Sequence, residues 1–218
     1  MARRRRRRHE AGGVPAGTGA AGRTRTEVAQ VAARLMAEEG VHGFAEAKAR
    51  AAARLGVRGR HALPRNDEIE AELRSYQALF QGDEHRRWLC AKRRAALDAM
   101  ELLAAFNPRL AGSVLRGTAP EDAEVTLHLF VDPPEAVATF LYDRGIPWEL
   151  DAWVGRFGGG REIELPLYRI SPGGQPVRLI VFPAEGLRES PRSPVDGKPM
   201  SRAGPAEVEE LLAEEPQT

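Results

Sequence analysis

The chain has 218 residues, of which 42% are hydrophobic and 29% are charged. This apolar fraction supports a packed core and excludes disorder of the whole chain. A single cysteine, Cys90, excludes an internal disulfide framework and a cysteine-based zinc site. No segment approaches the ~20 apolar residues of a membrane span, so we expect a cytoplasmic protein with no membrane partner.

Charge is distributed unevenly along the sequence. Residues 1–22 contain six consecutive arginines, Arg3 to Arg8, followed by Gly and Ala. We expect this tail to be a disordered, compositionally biased leader. The alternative is that it binds nucleic-acid phosphates or anionic lipid non-specifically. No apolar stretch follows the arginines, so a secretory signal is not expected. Residues 205–218 carry five glutamates and are predicted to form a C-terminal acidic helix and tail.

Residues 23–82 are predicted to form a helical module. A capping-box pattern at 24–27 predicts the start of a first helix, which Gly40 ends. A second helix is predicted over Phe44–Leu55 and a third over Asp67–Phe80, because apolar residues recur there at helical spacing.

The segment from Ala32 to Val57 resembles the opening helices of tetracycline-repressor-type DNA-binding domains. The resemblance implies a recognition helix directly after Val57. Leu63-Pro64 favours a helix break there instead. A DNA-associated regulator that uses this segment and the arginine tail is therefore the alternative function.

A long helix is predicted over Asp83–Phe106. Its apolar positions define the side expected to be buried: Leu89, Ala96, Met100 and Leu103. Its basic positions define the side expected to be solvated: Arg86, Arg87, Lys92, Arg93 and Arg94. Cys90 lies in this helix and is expected to pack rather than to react.

From Pro108 the pattern changes from helix to strand. Residues 109–114 form a short apolar run through Gly112-Ser113, and Glu124–Val131 alternates with a period of two. Glu124, Thr126, His128 and Phe130 are predicted to share one face, with His128 a packed or partly exposed strand residue. We give Gly112-Ser113 two interpretations, a phosphate-binding turn or a simple strand-to-helix turn.

These two blocks resemble the polymerase-β-like nucleotidyltransferase superfamily. Its small bacterial members have Gly-Ser, then Ala-Arg-Gly, then Ser-Asp-hydrophobic-Asp, and this chain has Gly112-Ser113, Arg116-Gly117 and Glu124-Val125-Thr126 at the same spacing. The resemblance implies that Gly112, Ser113 and Arg116 bind a nucleoside triphosphate. It also implies that Glu124 is the catalytic carboxylate and a Mg²⁺ ligand.

The metal-binding pattern of that superfamily is incomplete in this sequence. Thr126 replaces the second carboxylate, and Arg178 stands near the expected third one. Asp122, or Glu162 with Glu164, are candidates for the missing carboxylates, although a solvated strand or loop carboxylate is the preferred explanation for each. We therefore predict a nucleotidyltransferase-like protein that binds nucleotide or phosphate or is catalytically inactive, and leave enzyme activity and a protein partner open.

Residues 83–204 as a whole are predicted to form the nucleotidyltransferase-like domain. A helix start with Asp132 as N-cap is followed by strands over 148–157, Glu162–Ile170 and Val177–Phe182. Residues 183–203 form either a lid or a loop on the surface. The expected fold class is α+β, with a helical N-terminal module and a small mixed sheet packed by helices.

Overall fold

The computed structural model describes residues 17–214, and within them the fold is α+β as predicted. Four helices precede the sheet, three are placed among or after its strands, and short 3₁₀ turns connect them. The α-helices are α1 (Gly17–Glu38), α2 (Phe44–Arg54), α3 (Asn66–Phe80), α4 (Gly82–Leu102), α5 (Gly112–Arg116), α6 (Glu135–Asp143) and α7 (Pro205–Ala213).

The first three helices pack around their own apolar core. Leu35 on α1, Ala47 on α2 and Ile69 on α3 are fully buried in it. The capping-box prediction was wrong, because α1 already begins at Gly17 and the Thr26 hydroxyl donates to the Gly22 carbonyl inside the helix. The tail predicted to be disordered covers residues 1–22. Residues 1–16 lie outside the described residues, and residues 17–22 form the first part of the helix α1.

No α-helix forms between α2 and α3 in this part of the described chain. Gly56, with φ of 64°, follows the end of α2, and the connection contains only a 3₁₀ turn at Arg60–Ala62. The predicted break at Leu63-Pro64 is thus confirmed. The recognition helix that the repressor resemblance implies has no counterpart at this position.

Five strands form one mixed sheet in the order β1-β2-β5-β4-β3. β2 and β5 are parallel, and the other neighbouring pairs are antiparallel. The strands are β1 (Arg109–Ala111), β2 (Val125–Phe130), β3 (Glu149–Arg156), β4 (Glu162–Ile170) and β5 (Val177–Phe182).

The two faces of the sheet have different environments. Val125, Leu127 and Leu129 belong to the main core, which also includes residues of α4, α6 and α7. The alternate residue Phe130 lies in a smaller aromatic and aliphatic core on the other face, with Phe182. The alternation predicted for β2 is therefore confirmed, and the face that carries Glu124 and Thr126 is the one left free of α4.

The prediction of a solvated basic face on α4 is wrong for Lys92 and Arg93. Lys92 and Arg93 are buried, because each reaches a backbone carbonyl of a distant segment. Lys92 Nζ donates to the Ala123 carbonyl at 2.7 Å, and Arg93 Nε donates to the Val114 carbonyl at 3.4 Å. Burial lowers the pKa of Lys92.

The segment between β5 and α7 crosses the sheet face that carries Glu124. Asp132, predicted as the N-cap of α6, instead accepts a hydrogen bond from the backbone amide of Ala184 at 2.9 Å, and Pro134 takes the N-cap position. Asn66 Nδ2 donates to the Pro194 carbonyl at 2.5 Å, which connects this segment to α3. None of the helices within 17–214 is both long and apolar enough to cross a membrane.

Candidate ligand-binding cleft

A cleft of about 720 Å³ lies between the N-terminal helices and the free face of the sheet. It brings together all four residues predicted for the site: Gly112, Ser113, Arg116 and Glu124. The helical module, including the loop between α1 and α2, contributes an apolar wall made of Met36, Val41, Phe44 and Leu73. Pro194 also lines the cleft, so the segment that crosses the sheet forms part of its boundary.

The turn from β1 into α5 places Ser113 at the cleft. Gly112 has φ of 79°, which is a left-handed conformation that favours glycine. A Cβ at this position would lie 3.6 Å from the Thr126 side chain. Gly112 therefore allows β1 to turn into α5 directly beside β2, as a strand-to-helix turn requires.

Glu124 is held between two arginines. Its carboxylate lies 3.5 Å from Arg178 Nε and 3.6 Å from Arg169 Nε, and its side chain is about one-third exposed. Thr126 pairs with Arg178 in the β2–β5 register, and Arg169 pairs with Arg178 in the β4–β5 register. The positions of the expected second and third carboxylates thus hold a hydroxyl and a guanidinium.

Arg178 is the more buried of the two arginines. Burial lowers its pKa, and Nε has no hydrogen bond to any described residue. Arg169 also donates from Nη1 to Asp151 at 2.7 Å, and this hydrogen bond raises the pKa of Arg169. Arg178 therefore has the weaker set of partners at the cleft.

Arg116 is tied to the helical module by a buried carboxylate that the sequence did not suggest. Glu70 on α3 is only 7% exposed and accepts from Arg116 Nε at 2.7 Å and from the Thr118 hydroxyl at 3.3 Å. No spacing pattern could have identified Glu70, because the contact joins segments 46 residues apart. Arg116 lines the cleft with its charge already partnered.

The candidate replacement carboxylates do not complete a metal site. Asp122 lines the cleft but lies 3.2 Å from His42 Nε2. Glu162 and Glu164 are spaced by even numbers of residues from Tyr168 and Ile170 on β4, so all four side chains share one face of the sheet. Tyr168 and Ile170 pack in the main core, so the two glutamates lie on the face opposite to Glu124.

A Mg²⁺ pair needs several charged oxygen ligands from one side. No group of three or more His, Cys, Asp or Glu side chains within the described residues could hold a metal ion. Glu124, flanked by two guanidiniums, does not fit the metal-ligand role that the resemblance implies.

His128 lies further along β2 on the same face and is fully buried. Arg202 Nε donates to His128 Nδ1 at 2.9 Å, which places the proton of the neutral ring on Nε2. Burial, followed by the charges of Arg202 and Arg178, lowers the pKa of His128 to about 3. His128 is thus a neutral packing residue, as expected of a packed strand histidine.

Comparison with known proteins adds no functional assignment. A scan against protein-family models finds no match, and a search of curated proteins finds no significantly similar sequence. The chemistry of the cleft is therefore the basis for proposing a function.

Proposed function

We propose that the cleft binds the phosphates of a small phosphorylated ligand, a nucleoside triphosphate first among them, without catalysing two-metal nucleotidyl transfer. The observation that carries the proposal is Arg178, which lines the sheet end of the cleft near a position where the enzymes of the resembled superfamily have a carboxylate. Arg169 lies beside it, 3.6 Å from the same Glu124 carboxylate. Guanidinium groups suit phosphate oxygens because they offer several donors in a planar fork.

The remaining lining of the cleft suits such a ligand. Ser113 and Thr126 bring hydroxyl groups to the end that holds Arg178. Phe44 and Leu73 give the helical wall an apolar surface for a base or a similar flat group. A volume of about 720 Å³ is in the range of small-molecule sites.

Binding without transfer follows from the charges. Two-metal transfer requires carboxylates that draw two divalent ions to the reacting phosphate. Glu124 is one carboxylate and already faces two cations. Mg²⁺ would then accompany a triphosphate as its counter-ion and would not be held by the chain.

The DNA-associated alternative has less support among the described residues. The connection between α2 and α3 contains a 3₁₀ turn where a recognition helix would be required. We also propose a cytoplasmic site of action. Non-specific nucleic-acid binding through the arginine tail and binding of a protein partner are two further proposals, and experiments on the full chain test them.

The test is calorimetric titration of the full chain with ATP, CTP, GTP and UTP, each with and without Mg²⁺. Binding by the wild type is expected without Mg²⁺, and Arg178→Gln should weaken it at least tenfold, because a charge-assisted phosphate contact is lost. Ser113→Ala should weaken binding less, since one neutral hydrogen bond is removed.

Arg94→Gln is the matched control, because Arg94 is an exposed residue of α4 outside the cleft. All of these variants keep the arginine tail, so non-specific binding by the tail is the same in each. Equal binding by the wild type and Arg178→Gln would contradict the proposal. Binding that requires Mg²⁺ would also contradict it, since the cleft would then be a metal-dependent site.

A further inference from the structure

The charges around the Arg169–Arg178 pair are balanced by the chain itself. Asp151 is paired with Arg169, and Glu124 is the only described carboxylate that forms an ion pair with Arg178. Two arginines thus face two carboxylates, and the pair has no net positive charge to offer an incoming anion. A phosphate can form an ion pair with Arg178 only if it displaces the Glu124 carboxylate.

The Glu124 contacts are loose enough to be replaced. Both of its ion pairs are at least 3.5 Å long, whereas charge-assisted hydrogen bonds are about 2.7–2.9 Å. The Nε of Arg178 is buried without a hydrogen-bond partner among residues 17–214. A phosphate group with three oxygens and a greater charge could satisfy that donor better than one distant carboxylate.

We infer that Glu124 is an internal counter-anion that occupies the phosphate position of the cleft and competes with the ligand, rather than a metal ligand. This inference rests on the proposed function of the cleft and adds the residue that limits its affinity. It predicts an effect of opposite sign from the metal-ligand role. Removing the charge of Glu124 should strengthen binding, whereas removal of a metal ligand would weaken it.

The experiment is calorimetric titration of the full chain with sodium tripolyphosphate and with ATP, both free of Mg²⁺. The wild type is compared with Glu124→Gln, Arg178→Gln, and the double variant Glu124→Gln/Arg178→Gln. The interaction energy of two unit charges about 4 Å apart in a water-like medium corresponds to roughly a fivefold change in affinity. Glu124→Gln should therefore bind both anions about fivefold to tenfold more tightly, and the double variant should lose this gain.

Glu121→Gln is the matched control, because this substitution removes the same charge close by in the sequence. Glu121 is exposed and forms no ion pair with Arg169 or Arg178. Circular dichroism of each variant verifies that the fold is retained. A gain in Glu121→Gln equal to that in Glu124→Gln would overturn the inference, since a general change of net charge would then explain it.

The remaining outcomes separate the two proposals. ATP binding that depends on Arg178 but is unchanged or weakened in Glu124→Gln would overturn the inference and leave the proposed function standing. A gain for tripolyphosphate with no preference for ATP would support the inference and contradict a nucleotide ligand. Absence of Arg178-dependent binding in both the wild type and Glu124→Gln would overturn both.

Discussion

His128 and the half-buried Arg202 form a hydrogen-bonded pair of basic side chains. His128 is fully buried, and the Arg202 guanidinium lies over the rings of Phe130 and Phe182. Burial lowers the pKa of Arg202 to about 10, so it stays charged at neutral pH. The pair is stable only while the imidazole is neutral and accepts the hydrogen bond from Arg202.

Protonation of His128 should therefore destabilise the fold. Its pKa is about 3 in the folded protein and near 6.5 in the unfolded chain, so the unfolded state binds more protons between these values. The free energy of unfolding should decrease as the pH falls below about 6.5, by up to about 1.4 kcal/mol per pH unit from this group. Urea denaturation between pH 7 and pH 5 measures this decrease.

His128→Gln provides the comparison, because an amide oxygen can accept from Arg202 but does not titrate in this range. The variant should be less stable at pH 7 and should lose less stability between pH 7 and pH 5 than the wild type. Parallel pH dependence of the two proteins would show that other groups cause the effect.

At the same scale, the sequence predicted four of the residues that line the cleft but not how their charges are paired. The Gly112-Ser113 block directly follows β1 and the Glu124-Thr126 block lies at the start of the neighbouring strand β2, so local pattern was sufficient to bring them together. The partners Arg169 and Glu70 belong to segments far away in the sequence. Their contacts depend on strand order and helix packing, which no single-sequence periodicity contains.

At the scale of elements, β3 shows how a glycine sets the position of a large side chain. Trp153 and Gly155 point to the same side of the strand, and the Trp153 ring lies against Gly155. A Cβ at position 155 would overlap the indole ring of Trp153 and would lie 3.1 Å from the Phe157 ring. The absence of a side chain at this position therefore gives the indole room to pack.

Gly155→Ala should destabilise the protein by about 1–3 kcal/mol, because the indole must move away from the smaller core that also contains Phe182. Thermal or urea denaturation measures the loss, and the tryptophan emission spectrum should change with it. Gly82→Ala is the control, since nothing lies within 4 Å of a Cβ there and alanine favours the helix α4. Equal stability of both variants would contradict this account of β3.

The elements themselves were largely predictable. Periodicity located α2, α3 and β4 within one residue of their ends, because strong apolar patterns and glycine stops bound them. It failed for the buried basic residues of α4, since Lys92 packs by donating to the Ala123 carbonyl rather than by being apolar. A pattern of polar and apolar residues cannot show which lysine has a buried acceptor.

At the scale of the whole molecule, the helical module and the sheet are joined beside the cleft. Glu70 on α3 connects to Arg116 on α5 and to Thr118, and Arg74 lies 3.6 Å from the same carboxylate. Glu70 is nearly buried, so its charge must stay paired. The position of the apolar helical wall relative to Arg178 depends on this connection.

Glu70→Gln should weaken the coupling between the two halves, because it leaves the Arg116 guanidinium without a carboxylate partner. We expect a loss of about 1–3 kcal/mol in the free energy of unfolding. The three tryptophans, Trp88, Trp148 and Trp153, all follow residue 82, so fluorescence reports on α4 and the sheet. Far-ultraviolet circular dichroism reports on helix content, and so also on α1, α2 and α3.

In the wild type, the fluorescence and circular dichroism transitions in urea should coincide, as expected of a cooperative two-state fold. In Glu70→Gln, the circular dichroism transition should begin at lower urea, since the helical module would unfold before the sheet. Glu72→Gln makes the same chemical change on α3 at a residue that is outside the buried cluster. Coincident transitions in both variants, at the midpoint of the wild type, would show that Glu70 does not couple the two halves.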